Sequence, residues 1–160
     1  MRRFNIIACV NDEGIIGFEN QLYIKSKCDL AHFKQITTGS GRNVVIMGRG
    51  TWESIPHKYR PLKDRVNIVL TKKDNYECTG AIVCNSLASA LNCCKEPLED
   101  VYVIGGEQLY DECFQNHYDS INLVYLTTVH HMSTDYLSFK YIDFEKKHYT
   151  LMKSNTSVES

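Results

Sequence analysis

The chain has 160 residues, enough for one ordinary domain holding both a core and a pocket. Hydrophobic residues at 43% and charged ones at 23% are globular values, which excludes a disordered polyelectrolyte. Eighteen Lys and Arg against nineteen Asp and Glu leave a net charge of −1, so no basic surplus points to a nucleic acid or a membrane surface.

In chain order, Phe4 to Val10 reads as a buried strand, apolar and continuous. It contains the longest apolar run, Ile6 to Val10, far too short to cross a bilayer. Met1-Arg2-Arg3 ahead of it lacks the apolar region and cleavage site of a signal peptide, so a soluble cytoplasmic protein is expected. Asn11 to Lys25 reads as a loop punctuated by Gly14 and Gly17. Ser26-Lys27-Cys28-Asp29 has capping-box spacing ahead of Leu30, Phe33 and Ile36, which recur at helical intervals. Val44 to Met47 is a short strand stopped by Gly48, and Thr51 to Ile55 a short helix stopped by Pro56. Val66 to Leu70 and Ala81 to Cys84 are strands. Ser86 to Cys94 is a helix with Leu87, Ala90, Leu91 and Cys94 along one stripe. Val101 to Ile104 is a strand closed by Gly105-Gly106, then a helix runs to about Cys113. Ile121 to Val129 is the last clear strand. Continuous apolar strands alternating with amphipathic helices imply an α/β domain, its mostly parallel central sheet flanked by helices on both faces. We expect the domain to span residues 1–152, with 153–160 a polar tail.

The seven cysteines, at 9, 28, 78, 84, 93, 94 and 113, are odd in number and form no C-x-x-C pair. Reduced packing thiols are expected, and the six histidines show no metal-ligand spacing, so no metal is expected.

Two junctions share the order strand, glycine, helix: Val44–Met47 into Gly48-Arg49-Gly50-Thr51, and Val101–Ile104 into Gly105-Gly106-Glu107-Gln108. Unpaired N–H groups at a helix start favour an anion, and glycine lets the backbone approach it closely, so the two ends could share one pyrophosphate. The glycines could equally do no more than turn the chain; neither junction completes G-x-G-x-x-G and there is no P-loop lysine, so a standard Rossmann or NTPase reading fails. Asp29, in a helical first turn beside Leu30 and Phe33, suits the edge of an amidine-like heterocycle; on its own it is more simply the carboxylate closing a capping box with Ser26. Arg65, just before a strand, could clamp a carboxylate or merely flank the strand.

The order of Ile16-Gly17, Asp29-Leu30-Ala31-His32-Phe33-Lys34, Val45-Ile46-Met47-Gly48-Arg49, Thr51-Trp52-Glu53-Ser54-Ile55-Pro56, Arg60-Pro61-Leu62, Val103-Ile104-Gly105-Gly106 and Tyr125-Leu126-Thr127 resembles the dihydrofolate reductase family, across about residues 4 to 139. The resemblance implies reduction of 7,8-dihydrofolate to tetrahydrofolate with NADPH. It assigns Asp29, Thr127 and Leu22 to the reacting centre, and Leu30, Phe33, Ile55, Leu62, Arg65 and Ile104 to the substrate. It assigns Ala8, Ile16, Gly17, Gly48, Arg49, Thr51, Thr71, Lys72, Gly105, Gly106, Gln108 and Tyr110 to the cofactor, with Arg49 and Lys72 at the 2′-phosphate. It also implies a cis Gly105-Gly106 bond.

The chain departs from the family at three places. Leu22-Tyr23-Ile24 stands where the family has Leu-Pro-Trp, so an indole donor is missing and slower turnover is expected. Asp64 stands where glycine is usual, next to Arg65. After Phe139 the family adds two strands, of which only His148 to Met152 is legible, so a shortened sheet completed by a partner, a homodimer mate or a fused thymidylate synthase is expected. Two alternatives remain: a pyrimidine reductase of the same fold, against which Asp29, Phe33 and Arg65 argue, and an impaired binding or scaffold module, consistent with Ile24 and the short end.

Overall fold

The structure is a computed structural model that describes the backbone of residues 2–11, 14–15, 27–94, 100–129, 133–143 and 148–158, and side chains within 2–8, 31–94 and 100–126. The strands are β1 (Phe4–Asn11), β2 (Gly14–Ile15), β3 (Val44–Gly48), β4 (Val66–Leu70), β5 (Ile82–Cys84), β6 (Val101–Val103), β7 (Ile121–Val129), β8 (Ser133–Asp143) and β9 (His148–Val158). The α-helices are α1 (Lys27–Thr38), α2 (Arg49–Ser54), α3 (Leu87–Cys93) and α4 (Glu107–Asn116). They build one sheet in the order β5-β4-β3-β6-β1-β7-β8-β9, with β2 paired to β1. Neighbours from β5 to β7 run parallel; β8 and β9 are antiparallel.

The apolar runs of β1, β3, β4 and β6 are continuous because both faces of these strands are covered. Side chains alternate across a strand, so Phe4, Ile6 and Val44 face one side while Ile7, Val45 and Met47 face the other. The first side packs against Leu87 and Leu91 of α3 and Leu109 and Cys113 of α4. The second packs against Phe33 of α1 and Trp52 of α2. The helices therefore lie on both faces, as the alternation of elements implies. Ser86 caps α3 by accepting the Ser89 N–H at 3.1 Å, which is why that helix starts where the apolar stripe begins. Among the described residues no helix is long and apolar enough to cross a membrane.

The carboxyl-terminal end differs from the sequence expectation. Residues 133–143, where no strand is legible, form β8 against β7, with Val124 opposite Phe139. β9 continues past residue 152 to Val158, so part of the expected polar tail is strand, with Ser157 opposite Thr134. The sheet is not short of a strand, and the reason for expecting a strand-completing partner disappears. Backbone pairing to β8 makes a strand of a polar segment whose side chains give no period, a case of tertiary context overriding local preference.

A side-chain bond ties α4 to the sheet. The buried Tyr110 hydroxyl donates to the carbonyl of Ile7 in β1 at 2.8 Å. Replacing Tyr110 with Phe removes a buried hydrogen bond at nearly constant volume. We expect a loss of about 0.5–1.5 kcal/mol, read as a lower urea midpoint at unchanged slope.

Candidate nucleotide and substrate cleft

The two glycine junctions meet. β3 and β6 are parallel neighbours, so their carboxyl ends, and the helices that follow, open on the same edge. Gly48 N–H donates to the Gly105 carbonyl at 2.8 Å, extending a seam in which Ile104 N–H donates to Ile46 at 2.9 Å. The Gly105–Gly106 peptide is cis, as the resemblance implies, and Gly105 has φ of +129°. A Cβ on Gly105 would lie 3.3 Å from the Tyr110 hydroxyl and 3.4 Å from Thr51 Oγ1. Thr51 and Tyr110 are buried beneath the turn; Gln108 and Arg49 are exposed beside it. The starts of α2 and α4 thus sit next to each other, over a pair of glycines that leave the backbone open to an anion.

Beside this turn pair lies an apolar group on the α1 face of the sheet. Phe33 and Ile104 are buried in one cluster, with Ile55 and Leu62 packed against it. Arg65 borders this group, its guanidinium carbon 5.8 Å from the centre of the Phe33 ring. Arg65 Nε donates to the Lys63 carbonyl at 2.8 Å and Nη1 to Thr37 Oγ1 at 3.0 Å. Burial lowers its pKa from the ordinary value, while the neighbouring Asp64 charge raises it. The four apolar residues assigned to the substrate and their arginine are therefore assembled from α1, the segment after α2, the loop before β4 and the end of β6.

Two residues that the sequence reading passed over hold this wall. Thr37, fully buried, accepts from Arg65 and donates to the Phe33 carbonyl at 2.8 Å. Asn67, also buried, accepts from Leu62 N–H at 2.9 Å and donates to the Leu62 and Arg65 carbonyls, each at 3.0 Å. Asn67 carried a signal: a polar residue inside the apolar run Val66–Leu70 must find buried hydrogen-bond partners. Asp64 lies in this loop with φ of +61°, the left-handed conformation for which glycine is the usual residue.

The cations are further out. Arg49 Nη1 lies 3.5 Å from Glu53 Oε1, and its guanidinium stands 5.9 Å from the Tyr76 ring centre. Thr71 and Lys72 line an open cavity of about 570 Å³, with Lys73, Asn85 and Ser89 on its wall. Lys73 is a second cation there that the sequence reading did not single out. Ala8 is buried in β1, opposite Leu126 and on the face toward α3 and α4. Asp29 and Leu30 fall on the first turns of α1, and Thr127 falls on β7 opposite Cys9. The side chains of Asp29, Leu30 and Thr127 are outside the described residues, as are Ile16, Gly17, Leu22 and Ile24 altogether.

In open, mostly parallel α/β sheets ligands bind outside the carboxyl ends of the strands, which is where these two turns lie. The family model described as dihydrofolate reductase matches residues 3–159. The chain belongs to the dihydrofolate reductase family. The dihydrofolate reductase of Saccharomyces cerevisiae is 38% identical over 122 residues, which are 68% of this chain and 58% of the yeast protein. A bifunctional dihydrofolate reductase-thymidylate synthase of Glycine max is 35% identical over 69% of this chain, and the match covers 23% of that longer protein. The solved structure of Schistosoma mansoni dihydrofolate reductase superposes with a TM-score of 0.68 at 33% identity, covering 79% of this chain and 73% of that one.

Gly105 has little room to change. Gly105→Ala combines a positive φ with a crowded Cβ, so we expect a loss of more than about 1 kcal/mol in stability, measured by thermal or urea unfolding. Asp64→Gly should act in the opposite direction by up to about 1 kcal/mol, because it relieves a left-handed aspartate.

Proposed function

We propose that the chain reduces 7,8-dihydrofolate to tetrahydrofolate with NADPH. The single observation that carries this reading is the assembly of Phe33, Ile55, Leu62 and Ile104 into one apolar wall with Arg65 at its rim, next to the Gly48–Gly105 turn pair. A flat heterocycle with an apolar linker and a terminal carboxylate matches that wall from the turn pair outward. NADPH, when bound, supplies the hydride for C6 of the pterin.

The residues fit such a cofactor. The helix starts at Arg49 and Glu107 offer N–H groups over glycines, and Lys72 and Lys73 line a cavity reached from the ends of β4 and β5. In our reading Gly48, Arg49, Thr51, Gly105, Gly106 and Gln108 hold the pyrophosphate half. Tyr110 supports Gly105 from below. Thr71 and Lys72, with Arg49, take the 2′-phosphate end, and Ala8, Ile16, Gly17 and Leu22 border the nicotinamide.

On the substrate side, Asp29 binds the 2-amino and N3 edge of the pterin, with Thr127 bonded beside it. A carboxylate there stabilises the cation formed when N5 takes a proton from water, so protonation of N5 and acceptance of hydride at C6 reinforce each other. Leu30, Phe33, Ile55, Leu62 and Ile104 exclude water around the rings. Arg65 pairs with the glutamate carboxylate, held in place by Thr37 through Nη1 and by the Lys63 carbonyl through Nε. The cytoplasm is the compartment we propose, supported by the free thiols Cys78, Cys84, Cys93, Cys94 and Cys113 among the described residues.

The test is oxidation of NADPH, followed at the nicotinamide absorbance band, with and without dihydrofolate. Dependence on both is expected; its absence from properly folded protein would overturn the reading. Asp29→Asn should lower kcat by at least about 10²-fold at neutral pH, the usual contribution of a positioned acid–base group. Thr37→Val should leave kcat nearly unchanged. It should raise KM for dihydrofolate by about tenfold, the equivalent of one hydrogen bond to a charged group. A substrate lacking the glutamate should show no such rise.

A further inference from the structure

Cys84 closes β5 and Cys93 closes α3, and their Sγ atoms lie 3.9 Å apart. A disulfide holds its sulfurs about 2 Å apart, and the gap is of the size that side-chain rotation covers. Cys93 is exposed and has that freedom. Cys94, the next residue, does not compete for it: its thiol is buried and donates to the Ala90 carbonyl at 3.3 Å. Cys84 also belongs to the wall of the cavity formed with Thr71, Lys72, Asn85 and Ser89. Its carbonyl accepts the Thr71 N–H at 3.0 Å, a bond that joins the two sides of that wall.

We propose that Cys84 and Cys93 form a dithiol modification site, which takes a low-molecular-weight disulfide of the glutathione type and closes to an intramolecular disulfide at the wall of the nucleotide cavity. The exposed Cys93 reacts first. Its thiolate attacks one sulfur of the small disulfide, forms a mixed disulfide and releases one small thiolate. Cys84 then loses its proton to solvent and attacks the Cys93 sulfur, displacing the second small thiolate. Two protein thiols are oxidised, one small disulfide is reduced to two thiols, and atoms and electrons balance. Burial, and then the hydrogen bond with Cys93, push the Cys84 thiol up to about 11, which suits it to the second, intramolecular role and not the first. Closing the bond draws Cys84 toward α3 and away from Thr71, and so weakens the hold of the cavity on an adenosine 2′-phosphate. This last consequence rests on the proposed cofactor reading; the disulfide itself does not.

The whole chain is treated with excess oxidised glutathione at mildly alkaline pH, capped with N-ethylmaleimide and mapped by mass spectrometry without reduction. The expected product links the Cys84 and Cys93 peptides with loss of two hydrogens. It is reversed by dithiothreitol, persists in Cys94→Ser and is absent from Cys93→Ser. Glutathione retained on Cys93 without a cross-link, or a Cys93–Cys94 bond, would overturn the proposal. A second measurement titrates 2′,5′-ADP into reduced and oxidised protein. Several-fold weaker binding after oxidation is expected in the wild type and no change in Cys93→Ser; equal affinity in both wild-type states refutes the coupling to the cavity. Absence of binding to the reduced protein would count against the cofactor reading alone, while the peptide masses still decide the dithiol.

Discussion

The hydrogen bond from Gly48 N–H to the Gly105 carbonyl, 2.8 Å long, is the constraint on which the rest of the site depends. It continues the β3–β6 pairing beyond the last strand residues and brings two glycine turns together. Neither turn is special alone. Side by side they aim two helix starts at one place, and they do so only because Gly105 takes a φ that an L side chain rarely adopts. Thr51 and Tyr110 fill the space beneath, where a Cβ would have to go. Tyr110 in turn bonds to Ile7, so the turn pair is anchored through α4 to the central strand of the sheet.

The substrate wall follows a second logic, in which polar groups fix apolar ones. Phe33, Ile55, Leu62 and Ile104 come from four separate places in the chain, and hydrophobic contact alone would let them slide. Asn67 fastens the loop before β4 by three bonds to Leu62 and Arg65. Thr37 links that loop to α1 through Arg65 and the Phe33 carbonyl. A buried polar group left without a partner costs roughly 1–3 kcal/mol, so each bond makes one loop geometry much better than its neighbours. Arg65 is consequently directed by its surroundings and not merely tethered by its stem. Asp64 accepts a left-handed backbone there and adds a charge that favours the guanidinium cation.

Much of this was legible in the residues. Most strands from Phe4 to Val129 could be read because they are largely apolar runs, whereas the two-residue β2 falls in a stretch that reads as a loop; Gly48 and Gly105-Gly106 could be read because only a special backbone needs them. Thr37 and Asn67 were not, since a single hydroxyl or amide gives no period and its partners lie elsewhere in the fold. Lys73 escaped notice for a related reason, because a surface lysine acquires a role only from the cavity it borders. At the carboxyl-terminal end the reading failed in another way. Residues 153–158 are largely polar and would be a tail on composition, yet they pair with β8 from Ser138 to Ser133.

By itself the sequence determined the α/β class, the order of the longer elements through Val129, the short β2 excepted, and the family to which the chain belongs, because periodicity and glycine placement are local properties written in consecutive residues. The tertiary structure alone decided that the two glycine junctions share one edge, that Arg65 is pinned between Thr37 and Lys63, that β8 and β9 complete the sheet, and that Cys84 faces Cys93. Each of these is a contact between residues distant in the chain or set by the packing of a helix on a strand. Such contacts are selected by the free energy of the whole packed core, which no short window of sequence contains.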